Sequence, residues 1–401
     1  RPDQRVRPLH ILLVHQNFPG QFRELAPAWV SRGMQISAVG STSSRIPGVS
    51  HHPYHPAPGL NRGLALRRHL QRLAELDGLQ PDLVIAHSGW CEALPIKAVW
   101  PHTPLVVYPE LWGSPLALGV GFDPLQPALS ADQLHSLRHH NRRTARALQQ
   151  ADAAVAPTAF QRNSFPPPWR ERITLIHEGV DCEQHQPDPE ARLVLPNGLE
   201  LTRQTPVITY VCRAFEPLRG LRSFLAALPA LLATNPELQV VMVGGDGKGY
   251  GPVADHPSGH LGAAFDQLRG QLDLRRLHRP GALPHAQLRR LLQLSSAHVY
   301  LTYPYALSWS VLEAMACGAP TVGNHSGPLD DVICDGHNGR LVDFNQPHQL
   351  SAALAELLAD PEQQRRLGRE ARRTVEEHYR LDQAVERYEA LFNRLVSHRS
   401  S

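Results

Sequence analysis

In the first half of the chain, apolar residues come in short β-branched runs separated by amphipathic stretches. The run Leu9 to Val14 is followed by a turn at Gln16 to Gly20 and a helical pattern from Phe22 to Val30, which Gly33 is placed to stop. Further runs predict strands at Gln35 to Val39, Leu83 to Ala86, Leu105 to Tyr108, Ala153 to Ala156 and Ile173 to Ile176, with helices over 61–76 and 132–150. The second half repeats this alternation. Strands are expected at Val207 to Cys212, Gln239 to Val243, His298 to Leu301, Thr321 to Val322 and Arg340 to Val342, and helices near 220–235, 263–272, 285–295 and 310–317. Apolar strands alternating with helices imply parallel sheets covered on both faces.

The expected fold class is therefore α/β, with two facing Rossmann-like domains and a deep interdomain cleft. Ligands in such sheets bind where the strands end at their carboxyl side. The stretch Asp181 to Pro206 is polar, interrupted by proline and weakly periodic, which marks the domain boundary. The domains are expected at 1–190 and 191–380, followed by a helix over 381–401. From Asp360 to Ser397 the pattern is helical and charged, and Ala384, Tyr388, Leu391 and Leu395 form an apolar stripe that must dock.

Composition narrows the function. With 40 Lys+Arg against 37 Asp+Glu, the net charge of +3 is too balanced for a protein that coats nucleic acid. Hydrophobic residues make up 42% of the chain, which excludes a disordered polyelectrolyte. The five cysteines are scattered, lack a C-x-x-C pair, and read as free thiols of a reducing cytoplasm. No apolar run reaches the ~20 residues of a membrane span.

Candidate chemistry lies in the strand-to-helix loops. In YPYALSWSVLEAMACGAP, Tyr303 to Pro320, Ser310 and Glu313 have the S-x-x-E spacing of a capping box, one reading of that glutamate. On the other reading, free N–H groups at Leu307 to Ser310 and the positive helix end bind an anion, while Glu313 accepts hydrogen bonds from a vicinal diol. A nucleotide offers both a diphosphate and a ribose diol. In VCRAFEPLRG, Arg213 and Arg219 could hold diphosphate oxygens, or could pair on the surface with neighbours such as Glu216. The loop GGDGKGYG, Gly244 to Gly251, fails the phosphate-loop pattern because Tyr250 follows Gly249 where lysine is needed.

In the first half, Gly20 in HQNFPGQF allows close backbone approach to a ligand, or simply closes a turn. His87 and Glu110 each close a strand and are expected to face a site. His51, His52 and His55 fall in a proline-rich loop, where no strand or helix would fix them in metal-ligand geometry, and read as a solvated or acceptor-contacting loop. The basic stretch Arg138 to Arg146 is a solvated helix face or a membrane-surface patch.

Taken together, LLVHQNFPGQF, HEGVD, VCRAFEPLRG, VVMVGGDG, SVLEAMACGAPTV and GPLDDVICDGHNGRLV give a chain that resembles the retaining, nucleotide-sugar-dependent group 1 glycosyltransferases of GT-B architecture. The resemblance covers nearly the whole chain. It implies transfer of a sugar from a UDP- or GDP-sugar to an acceptor with retained anomeric configuration, by front-face attack assisted by the leaving phosphate. It implies no cofactor and no required metal. Glu313 would hold the donor ribose, and Arg213 and Arg219 the diphosphate, while Gly20, Leu283, Tyr305, Ala306, Leu307 and Ser308 would complete the donor site. His87 and Glu110 join the arginines in the catalytic set. The family is described by two glutamates separated by seven residues, and Tyr305 stands at the first of those positions. The alternative is a nucleotide-sugar-binding GT-B protein or partner subunit without catalysis. The expected partners are the donor and an acceptor of unspecified class, with no nucleic acid, and the expected setting is cytoplasmic with peripheral contact at the inner membrane face.

Overall fold

A computed structural model describes residues 7–42, 44–55, 61–247, 249–251 and 254–397. These fall into two compact units, one within Arg1–Gly113, Ser130–Gly179 and Leu381–Ser401, the other within Ser114–Leu129 and Val180–Arg380.

The first unit is built on a seven-stranded sheet of β1 (His10–Val14), β2 (Gln35–Gly40), β3 (Val49–Pro53), β4 (Leu83–His87), β5 (Leu105–Tyr108), β6 (Ala153–Ala156) and β7 (Ile173–Leu175). Every pair is parallel, in the order β3-β2-β1-β4-β5-β6-β7. Alternate residues of β1 enter two different cores: Leu12 and Val14 on one face, Ile11 and Leu13 on the other. Both faces of a parallel sheet are covered by helices, so the strand reads as a continuous apolar run. The helix Leu381–Ser397 belongs to the second of these cores and buries Ala384, Val385, Tyr388, Leu391 and Phe392. Trp29 meets Tyr388 and Phe392 edge-on, with ring centroids 5.5 and 5.3 Å apart.

The strands of the second unit begin with the antiparallel pair β8 (Arg192–Val194) and β9 (Glu200–Thr202). Its main sheet contains β10 (Val207–Ala214), β11 (Gln239–Gly245), β12 (Leu277–Gly281), β13 (Ala297–Tyr300), β14 (Thr321–Asn324) and β15 (Arg340–Val342). All pairs are parallel, in the order β12-β11-β10-β13-β14-β15. In each unit the strand order reverses beside the first strand, between β1 and β4 and between β10 and β13. This is the Rossmann arrangement, and such reversals open the crevice in which α/β sheets bind ligands.

The weakly periodic stretch Asp181 to Pro206 contains the β8–β9 hairpin, pinned by buried Leu193 and Leu201. Several expectations are corrected. His51 and His52 lie on the edge strand β3 and not in a loop. Proline at Pro53 ends that strand, and a proline at the end of an edge strand breaks no interior ladder. The helical pattern after Asp360 forms two helices, Pro361–His378 and Leu381–Ser397, interrupted at Tyr379 and Arg380. A helix at Pro347–Ala359 and the strand at Leu277–Gly281 were not anticipated.

Candidate functional site

In the first unit, polar and aromatic groups collect where the central strands end. His15 follows β1, His87 ends β4 and Tyr108 ends β5, all buried. The His87 ring lies 4.9 Å from that of His15, stacks on Trp90 at 4.9 Å and faces Tyr108 at 5.7 Å. Its Nε2 stands 3.5 Å from Glu110 Oε2. Glu110 adopts φ +59, a conformation that non-glycine residues reach only at a cost. Burial alone would raise its pKa, but the hydrogen bond and charge of His87, with His140 beyond it, outweigh that and hold the carboxyl below its ordinary value. His15 is pushed well down, first by burial and then by the like charge of His87, so it is neutral near pH 7. The Tyr108 hydroxyl donates to the buried Glu178 carboxylate at 2.5 Å.

Gly20 has φ +47, and a Cβ there would come 2.5 Å from His15 Nε2, so the missing side chain makes room for the His15 imidazole.

In the second unit, Arg213 and Arg219 flank the carboxyl end of β10. Arg219 donates from Nη1 to Tyr300 Oη at 2.7 Å and to Thr302 Oγ1 at 2.9 Å, both at the end of neighbouring β13. Ser308 N donates to the same Tyr300 oxygen at 2.9 Å. Arg213 lies over the Tyr250 ring at 5.0 Å and donates to Tyr250 Oη at 3.3 Å. The Tyr250 ring is 5.7 Å from that of Tyr305. The two arginines therefore sit on the side of the strand reversal occupied by β10, each backed by a tyrosine. Glu216 adds a negative charge beside Arg219, and its Oε2 accepts from Tyr250 N and Gly251 N, at 2.9 Å each, and so pins this end of the glycine-rich loop. Lys248 of that loop lies outside the described residues.

The capping reading of Glu313 is also corrected. The helix runs Trp309–Ala316, and its N-cap is Ser308, whose hydroxyl accepts from Ser310 N. Ser310 is thus inside the first turn, and no capping box forms. Of the N–H groups expected to be free from Leu307 to Ser310, those of Ser308 and Ser310 are already engaged. Glu313 is one turn in, 4% exposed, with Oε1 3.9 Å from His185 Nε2. Tyr305, Ala306 and Leu307 are partly exposed on the same loop. Leu283 follows β12 and packs against the cluster of Val211, Val243 and Leu291.

Sequence reasoning missed His15, Glu178, Glu216, Tyr250 and Tyr300. The strand-end rule that singled out His87 applies equally to His15 and Tyr300. The contact of Glu216 with the glycine loop has no sequence signal, because 34 positions separate it from Tyr250. Among the described residues no group of three or more His, Cys, Asp or Glu is placed to hold a metal ion, and no helix is long and apolar enough to cross a membrane.

Each unit thus carries a Rossmann-like parallel sheet with polar groups gathered at its strand reversal. Residues 31–185 match the family model described as glycosyl transferase family 4 group, and residues 197–374 match glycosyl transferases group 1. The chain belongs to the group 1 glycosyltransferases. It is 30% identical over 221 residues to a D-inositol 3-phosphate glycosyltransferase of Thermobispora bispora, covering 53% of this chain and 49% of the relative. It is 27% identical over 289 residues to an alpha-maltose-1-phosphate synthase of Mycolicibacterium smegmatis, covering 67% and 70%. The alignment thus spans about half the length of the first of these relatives. Among solved structures, sucrose-phosphate synthase from Thermosynechococcus elongatus superposes with TM-score 0.76 at 17% identity, covering 97% of this chain and 100% of that one. HepE of Anabaena, in complex with UDP and glucose, gives TM-score 0.70 at 15% identity, covering 96% and 99%. At such identities these structures speak for the GT-B fold alone.

Proposed function

We propose that this chain is a retaining glycosyltransferase that moves a sugar from a nucleotide-diphosphate donor to a separate acceptor. The observation that carries the reading is the fixing of Arg219 against Tyr300 and Thr302, at the point where β10 and β13 diverge and where Arg213 also ends. A guanidinium held in this way before the ligand arrives needs little reorganisation to meet diphosphate oxygens. Arg213 and Arg219 hold the diphosphate and offset the charge that grows on it as the sugar leaves. Glu313 accepts from the ribose diol. The acceptor hydroxyl attacks the anomeric carbon from the face the phosphate leaves, and its proton passes to the leaving phosphate oxygen, so the configuration is retained. Positioning and charge stabilisation then supply the catalysis.

His87 and Glu110 are assigned to the acceptor side, with His87 and the depressed Glu110 carboxyl available as hydrogen-bonding groups. UDP is the first donor nucleotide to try, because HepE is described in complex with UDP and glucose. The setting proposed is the cytoplasm, and the exposed Arg138, Arg142 and Arg146 of the helix Ala131–Gln150 are the surface for peripheral membrane contact.

The test is transfer from a panel of UDP-, GDP-, ADP- and TDP-sugars, with the anomeric configuration of the product read by NMR. Turnover with one donor and a retained anomer is expected, and an inverted product overturns the mechanism. A second reading, nucleotide-sugar binding without catalysis, draws on Tyr305, whose ring rests beside Tyr250 where the family pattern has a glutamate. Thermal protection by a nucleotide diphosphate with no transfer or hydrolysis across the panel would favour it. A ligand at 100 times its Kd stabilises by about 2.7 kcal/mol, so the protection is measurable.

A further inference from the structure

The first unit also contains a concave site, one strand beyond His15. After β2 and β3, a cavity of about 180 Å³ is lined by Phe18, Thr42, Ser44, Arg45, His51 and His55 among others, and none of its lining residues is acidic. Pockets for whole drug-sized ligands start near 300 Å³, so this volume suits one end of a substrate. The His51 ring stands edge-on to Phe18 at 5.0 Å, and its Nε2 accepts from Ile46 N at 3.1 Å. That bond places the proton of the neutral ring on Nδ1, which makes His51 a donor on its other side. Thr42 Oγ1 is spent on the Phe18 carbonyl, whereas Ser44 and Arg45 are exposed at the rim. Burial first, then the charges of Arg45 and His52, hold His51 below its ordinary pKa. A site that concentrates cationic and N–H donor groups without a carboxylate lacks the negative partner that would complete it.

We propose that this pocket binds a phosphate monoester carried by the acceptor, with Arg45 as the charge partner and His51 and His55 as donors. The proposal rests on the assignment of this unit to the acceptor. The adjacency is close: a Cβ on Gly40, which ends β2 and lines the pocket, would lie 2.5 Å from the His15 carbonyl oxygen. An anion held here would anchor one end of the acceptor one strand away from His15.

The test uses the full chain with nitrogen-15-labelled histidine and the long-range imidazole spectrum, in which the His51 signal is assigned through His51→Gln. Glucose 6-phosphate is titrated as the soluble monoester, vesicles containing phosphatidic acid as the lipid one, and glucose as the neutral control. A His51 response to either phosphate probe but not to glucose, weakened about tenfold or more in Arg45→Gln, is the expected result, and the responding probe identifies the source of the phosphate. Arg45 is exposed, so that variant folds. No His51 response to either phosphate, or equal affinity in Arg45→Gln, overturns the pocket. A His51 response in a protein that transfers no sugar sinks the glycosyltransferase reading alone, whereas transfer without any response sinks only the pocket.

Discussion

Tyr303 Oη donates a 2.6 Å hydrogen bond to Asp123 Oδ2 across 180 positions of sequence. The same oxygen accepts from Arg222 Nη2 at 2.5 Å. Asp123 and Tyr303 are 4% and 2% exposed, so the pairing is dry. Around it, Phe122 packs on Tyr303 and Phe344, and Asn345 Nδ2 donates to the Phe122 carbonyl at 2.8 Å. Gly119, at φ +89, leaves room for the Tyr303 ring, which a Cβ would approach to 2.3 Å. These contacts fasten Ser114–Leu129, which in sequence interrupts the first unit, to the loop that leads from β13 to Tyr305.

Asp123→Ala should therefore destabilise the second unit. It strands a buried phenol and leaves Arg222 unpaired, and a single orphaned buried polar group costs about 1–3 kcal/mol. Asp123→Asn keeps an acceptor for Tyr303 and should cost less. Thermal and urea unfolding of the three proteins measure the order, and equal stability of Asp123→Ala and the parent would show that the pairing contributes nothing.

Glu313→Gln should fold as the parent does, because Ser308 and not Glu313 caps the helix. The amide offers only one acceptor oxygen to a diol, and loss of a charged hydrogen bond weakens binding by roughly 1.5–3 kcal/mol. Calorimetry with the preferred nucleotide diphosphate, alongside a melting curve, reads both quantities. A lower melting temperature at unchanged affinity would return Glu313 to a structural role.

The parallel sheets were legible because each strand, buried on both faces, is a short apolar run. Leu105–Tyr108, Ala153–Ala156 and Arg340–Val342 start and stop where the pattern places them. Edge elements were harder to see. Val49–Pro53 is half exposed and carries two histidines, so it lacks the apolar signature and reads as a loop. Cap positions failed for a different reason: YALSWS offers serine at both 308 and 310, and only the chain's path from Tyr300 selects the first. The loops bearing the arginines and Glu313 were found by their place at strand ends. Their partners were not, because Asp123 with Tyr303 and Glu216 with Tyr250 are joined only by the fold.

Tyr300→Phe should weaken nucleotide-diphosphate binding without touching the charge of the site. The Tyr300 oxygen accepts from both Arg219 and Ser308 N, so its removal frees the guanidinium from one of two anchors and loosens the start of the helix that carries Glu313. Thr302 still holds Arg219. A loss of about 0.5–1.5 kcal/mol in binding is expected, the range of a single neutral hydrogen bond. Arg219→Ala should cost more than Tyr300→Phe. The reverse order, measured by the same calorimetry, would mean that Arg219 does not meet the ligand.

The last prediction concerns His298 on β13, which is fully buried, with Nδ1 2.9 Å from Thr209 Oγ1 and no hydrogen-bond partner at Nε2. Burial lowers its pKa from 6.5 to about 3. As pH falls below 6.5, the unfolded imidazole takes up a proton and the folded one does not, down to about 3. The unfolded state then binds more protons, so stability rises with pH across that window. The contribution is complete above 6.5 and is lost progressively on acidification towards the folded value, at up to about 1.4 kcal/mol per pH unit. His15 and His177 are shifted in the same direction by burial, so the parent protein should be acid-sensitive at several sites. His298→Gln removes one of them and keeps a side chain able to bond Thr209. Between about pH 7 and about pH 5 the variant should lose roughly 2 kcal/mol less than the parent. Urea unfolding of both proteins at the two pH values gives that difference directly. Equal losses would show that His298 is protonated in the folded protein at the same pH as in the unfolded one.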